Sequence, residues 1–186
     1  IRRHILSVVR GDGGLLAIRG VPGSGRSRML DACALEGKLL GISVLRADAQ
    51  DAAEGDWGVA RALGEQLIAQ FPKQAEEAAR LSRHVLGQLF PALRSDEEPT
   101  SVTGSAPDRS FLLRQLRDWM LSIAKTQRML ILVDDLDRLD EASLALLTGL
   151  AHKAQRQALL LVMTIVEEPS RPLPAALQML FNSKNN

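Results

Sequence analysis

The stretch that most constrains this chain is GVPGSGRS, Gly20 to Ser27. It lies between the apolar run LLAIRG, Leu15 to Gly20, and the helical pattern RSRMLDACALEGKLLG. Glycines at 20, 23 and 25 let the backbone coil tightly enough to aim several N–H groups at one point. A helix that starts at once adds its own free N–H groups and the positive end of its dipole. That combination suits a phosphate. The spacing is that of G-x-x-x-x-G-K-[ST], with Arg26 in the lysine position and Ser27 where a hydroxyl meets Mg²⁺. The alternative is a glycine-rich turn that only joins strand to helix.

The surrounding pattern favours the phosphate reading. ISVLRADA, Ile42 to Ala49, reads as a second strand, so strand, glycine loop, helix and strand make a βαβ unit and a parallel sheet. Residues 56–90 are helical in pattern, with a break at Pro72. The polar run 94–107, rich in Ser, Thr and Pro, reads as a mobile loop. Asp108 and Ser110 are N-cap candidates for the helix after it. MLILVDD, Met129 to Asp135, is a buried strand ending in two carboxylates, and SLALLTGLAHKAQR is the next helix. ALLLVMTIV, Ala158 to Val166, is a fourth strand without alternation, as in the middle of a parallel sheet. A short helix over 174–180 closes the pattern.

Composition narrows the function classes. The 23 basic and 22 acidic side chains leave a net charge of +1, which gives no electrostatic reason to expect nucleic acid or an anionic membrane as partner. No apolar run reaches the ~18 residues of a membrane span. Cys33 is the only cysteine, so no intramolecular disulfide forms, and a reducing, cytoplasmic setting is expected. His4, His84 and His152 lack metal-ligand spacing. Trp57 and Trp119 read as packing residues on helices. The length of 186 residues suits a single domain, and a start at Ile1 rather than Met suggests a segment of a longer protein.

Chemistry gathers at two further places. In phosphoryl-transfer sites the first acidic residue after a buried strand holds Mg²⁺, and the next carboxylate orients the attacking water. Asp134 is the candidate for the metal, through water, and Asp135 for the base. The alternative, an acidic cap for the next helix, suits Asp140 and Glu141 better than Asp134. Thr164, at the end of the fourth strand, is a candidate to sense the terminal phosphate or position the water. A threonine that merely fills the strand is an equal alternative.

Taken together, these residues resemble the ATPase module of STAND proteins, the signal-transduction ATPases with numerous domains. The nearest variety is that of large LuxR-type regulators and of bacterial proteins fused to cyclases or Ser/Thr kinases. GVPGSGRSRML is similar to G-x-P-G-x-G-K-S-R-L-L, the family's Walker A motif. LILVDDLDRLDEAS is similar to L-V-V-D-D-L-x-W-A-D-x-A-S, its Walker B motif, and TIV keeps the threonine of T-Y-R. Arg26, Arg138 and Val166 depart from the pattern. The resemblance implies a three-layer α/β P-loop fold of the additional-strand class, with sheet order 1-4-3-2 and the fifth strand missing from this segment. It implies ATP or ADP with Mg²⁺ as ligands. The nucleotide-binding residues would be Gly20, Pro22, Gly23, Ser24, Gly25, Arg26, Ser27 and Arg28. Ser27 and Asp134 would serve the metal, and Asp135 and Thr164 catalysis. Other domains, partner proteins and further copies of the chain are the expected partners.

Arginine is longer, planar and forked where lysine is a slim point charge. Arg26 is therefore expected to be displaced toward solvent or toward Asp134. The favoured outcome is a nucleotide-binding switch with little turnover. An empty pseudo-site used as a scaffold and an ATPase that works through Arg26 are the alternatives.

Overall fold

The computed structural model describes residues 1–52, 55–94 and 108–167. Apart from Arg94, the expected loop 94–107 lies outside the described residues, as does the expected helix 174–180. Four strands form the sheet: β1 (Gly14–Gly20), β2 (Ser43–Ala47), β3 (Met129–Val133) and β4 (Leu159–Val166). They run parallel in the order β1-β4-β3-β2. This is the α/β P-loop-type sheet expected from the sequence.

The helices are α1 (Arg2–Val9), α2 (Arg26–Leu39), α3 (Ala49–Ala52), α4 (Gly58–Gln70), α5 (Pro72–Ala79), α6 (Arg83–Leu86), α7 (Arg109–Ala124) and α8 (Glu141–Ala154). Their placement is set by strand order and handedness. The step from β1 to β2 crosses the sheet one way, and the steps β2 to β3 to β4 come back the other way. Right-handed crossovers then put α2 on one face and the later helices on the opposite face.

The strand side chains alternate accordingly. Leu130, Leu132, Leu160 and Val162 pack with Ile5 and Val8 of α1 and Leu30 and Cys33 of α2. Met129, Ile131, Val133, Leu159, Leu161 and Met163 pack with α4 to α8, including Leu63, Leu116 and Leu146. On that second face Trp119 is buried; its indole N–H donates to the Ala75 carbonyl at 2.9 Å, and its ring lies 5.2 Å from that of Phe90.

Four local outcomes differ from expectation. Helix α1 has no clear signal in the sequence, because its eight residues carry only Ile5 and Val8 into the core, too short a pattern to stand out. Met29, at helical spacing with the buried face of α2, is 43% exposed. Trp57 is not inside a helix but caps the start of α4 in a left-handed conformation, φ +69°. Strands β2 and β3 end at Ala47 and Val133, two residues earlier than the apolar pattern suggests. The last bond between them is donated by the Asp134 amide to the Ala47 carbonyl at 3.0 Å, so both carboxylates leave the strand. Among the described residues no helix is long and apolar enough to cross a membrane.

Candidate functional site

The site forms at the carboxyl ends of β1, β3 and β4. β1 and β4 run on beyond β3: Ile18 pairs with Thr164 and Gly20 with Val166, whereas β3 stops at Val133 opposite Met163. The Asp134 carboxylate and the Asp135 amide therefore meet the Thr164 side chain. In open α/β sheets this edge is where ligands bind.

The loop from Gly20 to Ser27 coils over it. Gly23 and Gly25 hold φ of +79° and +85°, a region that costs a side chain about 1–2 kcal/mol. A Cβ at Gly20 would lie 2.5 Å from Ser24 Oγ, so a side chain there would displace the Ser24 hydroxyl. Gly25 begins α2 without a side-chain cap. Its first-turn N–H groups are thus left for another acceptor. Pro22, Gly23, Ser24 and Gly25 are exposed along the loop, and Arg28 is exposed on the first turn of α2.

Behind the loop five side chains converge. The Ser27 hydroxyl lies near enough to Asp134 to favour its charged form. The Thr164 hydroxyl donates to Asp134 Oδ1. The Asp135 amide donates to Thr164 Oγ1 at 2.9 Å and to Asp134 Oδ1 at 3.2 Å. Burial pushes the Asp134 carboxyl up. The Ser27 and Thr164 hydroxyls, the Asp135 amide and the Arg26 charge outweigh that and hold its pKa below the ordinary carboxylate value. Thr164 is fully buried and uses its hydroxyl both as donor and as acceptor.

Arg26 corrects the expectation. Its side chain is neither turned out to solvent nor paired with Asp134. It is only 12% exposed, and Nη1 lies 3.3 Å from Asp135 Oδ1. The reason is geometric. Asp134 already takes the Thr164 hydroxyl and the Asp135 amide, while Asp135 adopts a left-handed conformation, φ +48° and ψ +56°. Arg26 Nη1 is buried and makes no hydrogen bond.

Sequence reasoning missed the work of the residues beyond Asp135. Asp137 Oδ1 accepts the Val166 amide at 3.3 Å, tying the acidic loop to the end of β4. Asp140 caps α8 by accepting the Ser143 amide at 2.8 Å, as its position before SLALL suggests. It also accepts the Trp57 amide at 3.1 Å, and Ser143 Oγ accepts the Ala60 amide at 3.1 Å. Asp140 and Ser143 thus serve the N-termini of two helices, α4 and α8. Their three-residue spacing is a capping signal, but nothing in it names the second helix.

The arrangement fits a nucleotide and its metal. The glycine cradle, the uncapped α2 and the buried, unbonded guanidinium nitrogen all call for an anion. A hydroxyl and a carboxylate side by side are hard oxygen donors suited to Mg²⁺. A separate cavity of about 330 Å³ opens at the other end of the sheet, lined among others by Ser43, Lys125, Arg128 and Ala158. It shares no residue with this site.

The fold and the site define a P-loop-type α/β module of the additional-strand class. A family model described as AAA ATPase domain matches residues 1–163, and the chain belongs to that family. No curated protein matches the chain. Membership makes nucleotide binding, usually with Mg²⁺, the expected property.

Proposed function

We propose that this chain is the nucleotide-binding switch module of a cytoplasmic bacterial signal-transduction protein of the STAND type. In this reading it binds ATP or ADP with Mg²⁺, turns over slowly, and passes its state to other domains or partner proteins. Residues 1–186 form one domain of that larger protein.

The observation that carries the reading is the convergence of the loop at Gly20–Ser27 with Asp134, Asp135 and Thr164. The amides of Gly23 to Ser27 bind phosphate oxygens, and Ser27 and Asp134 hold the metal. When bound, Mg²⁺ supplies charge neutralisation between the phosphates. Thr164 holds the Asp134 carboxylate and the Asp135 amide in place. Asp135 is the base that orients water, but Arg26 sits against it and neutralises it. While Arg26 holds it, the Asp135 carboxylate is not free to orient water, so the site binds more readily than it turns over.

The same ion pair favours a second reading, a pseudo-ATPase scaffold whose site stays closed. Calorimetry with ATP and ADP, with and without Mg²⁺, separates the two. A Kd in the range of about 1–100 µM, tightened by Mg²⁺, supports the switch. No heat with either nucleotide at millimolar concentration supports the scaffold.

A further inference from the structure

The pairing of Arg26 with Asp135 points beyond weak turnover. In a loop of this spacing the residue at position 26 is the one that reaches the β- and γ-phosphates. In this chain it is committed elsewhere. Nη1 stands 3.3 Å from Asp135 Oδ1, with the two side chains 12% and 30% exposed. We infer that Arg26 and Asp135 form an electrostatic latch that the nucleotide's terminal phosphates must open, so that Asp135 sets nucleotide affinity as a competitor for the phosphate-binding arginine. This inference rests on the nucleotide-binding reading above.

Three observations carry it. First, the contact is an ion pair without a hydrogen bond: Nη1 is buried and unbonded. A guanidinium nitrogen in that condition gains more from a phosphate oxygen that accepts its proton in line. Second, Asp135 is not free to swing away at no cost. Its backbone lies in the left-handed region at φ +48°. Its amide is fastened to Thr164 Oγ1 and Asp134 Oδ1. The backbone that carries the carboxylate is therefore held beside Arg26. Third, the competing anion is the second carboxylate of the acidic pair and not the metal-holding one. Asp134 is occupied by the Thr164 hydroxyl and the Asp135 amide. Opening the latch frees Arg26 for phosphate and at the same moment frees Asp135 for water. Phosphate binding and exposure of the base are then one event.

The test is calorimetry with Mg²⁺-ATP on the wild-type chain, Asp135→Asn and Asp137→Asn. Asparagine tolerates the left-handed backbone, so Asp135→Asn removes the charge and leaves the turn. Asp137→Asn removes one charge from the same loop while asparagine can still accept the Val166 amide. The latch predicts about tenfold tighter ATP binding for Asp135→Asn, within the usual range of coupling between sites, and less than about twofold for Asp137→Asn. Binding that appears only in Asp135→Asn supports the latch most strongly. Equal gains in both variants would show a general charge effect and overturn it. Binding by the wild type with no gain in Asp135→Asn overturns the latch alone. No binding by wild type or Asp135→Asn overturns the nucleotide reading and the latch together. Circular dichroism on each variant verifies that the fold is kept.

Discussion

At residue 26 one substitution changes the character of the site. Lysine in that position would reach past Asp135 as a slim ammonium, whereas the longer guanidinium of Arg26 ends against it, 3.3 Å away. Arg26→Lys is therefore expected to raise the steady-state rate of ATP hydrolysis, by about tenfold or more in a phosphate-release assay. A fall in rate would mean that the arginine is adapted to catalysis. Thr164 makes an equally sharp case. Valine in its place keeps the shape but leaves Asp134 and the Asp135 amide without its hydroxyl. Thr164→Val should lower the free energy of unfolding by about 1–3 kcal/mol in urea titrations. An unchanged midpoint would show that the hydroxyl carries no weight in the fold.

Asp134 adds a pH dependence. Its pKa is lowered in the folded chain, so the unfolded chain binds the proton more tightly. Its contribution to stability is present above the unfolded value, near pH ~4, and is lost as the pH falls through the lower folded value. Thermal unfolding followed from about pH 5 downward should therefore fall more steeply for the wild type than for Asp134→Asn. Parallel curves would contradict the assignment of those hydrogen bonds.

Among the elements, the acidic loop between β3 and α8 does more than deliver two carboxylates. Asp137 ties it to β4, and Asp140 ties it to both α4 and α8. Asp140→Ala removes acceptors from two helix starts and is expected to cost about 1–3 kcal/mol. Asp140→Asn keeps the oxygen that accepts both amides and should cost well under half of that. Equal losses would place the effect in the charge rather than in the caps. The strands and the tight glycine loop were legible because each rests on local pattern: apolar runs and glycine spacing. The double cap was not, since it joins residues 83 apart in sequence. Nor was the partner of Arg26, because choosing between adjacent aspartates needs to know which one the Thr164 hydroxyl has already taken.

Over the whole molecule the fold explains why the candidate site lies at one end of the sheet. Parallel strands with helices on opposite faces leave a crevice at their carboxyl ends, and the glycine loop, the acidic pair and Thr164 all arrive there. The strand order was readable from the resemblance, and the sheet has that order. The outer edge of β2 is closed by α4. The Gln66 side chain accepts the Arg46 amide at 2.9 Å and donates to the Arg46 carbonyl at 2.6 Å, and Gln70 donates to the Val44 carbonyl at 3.1 Å. Such side-chain capping keeps an edge strand from pairing with another chain. None of it shows in the sequence, where both glutamines read as ordinary polar positions of an amphipathic helix.

The central claim is that the loop at Gly20–Ser27 receives the phosphates of a nucleotide. The most direct measurement is the amide ¹H–¹⁵N spectrum of the chain during titration with Mg²⁺-ATP. The largest shifts are expected on Gly23 to Ser27 and on Asp135. Shifts confined to the cavity around Lys125 and Arg128, or no shifts at millimolar nucleotide, would contradict it.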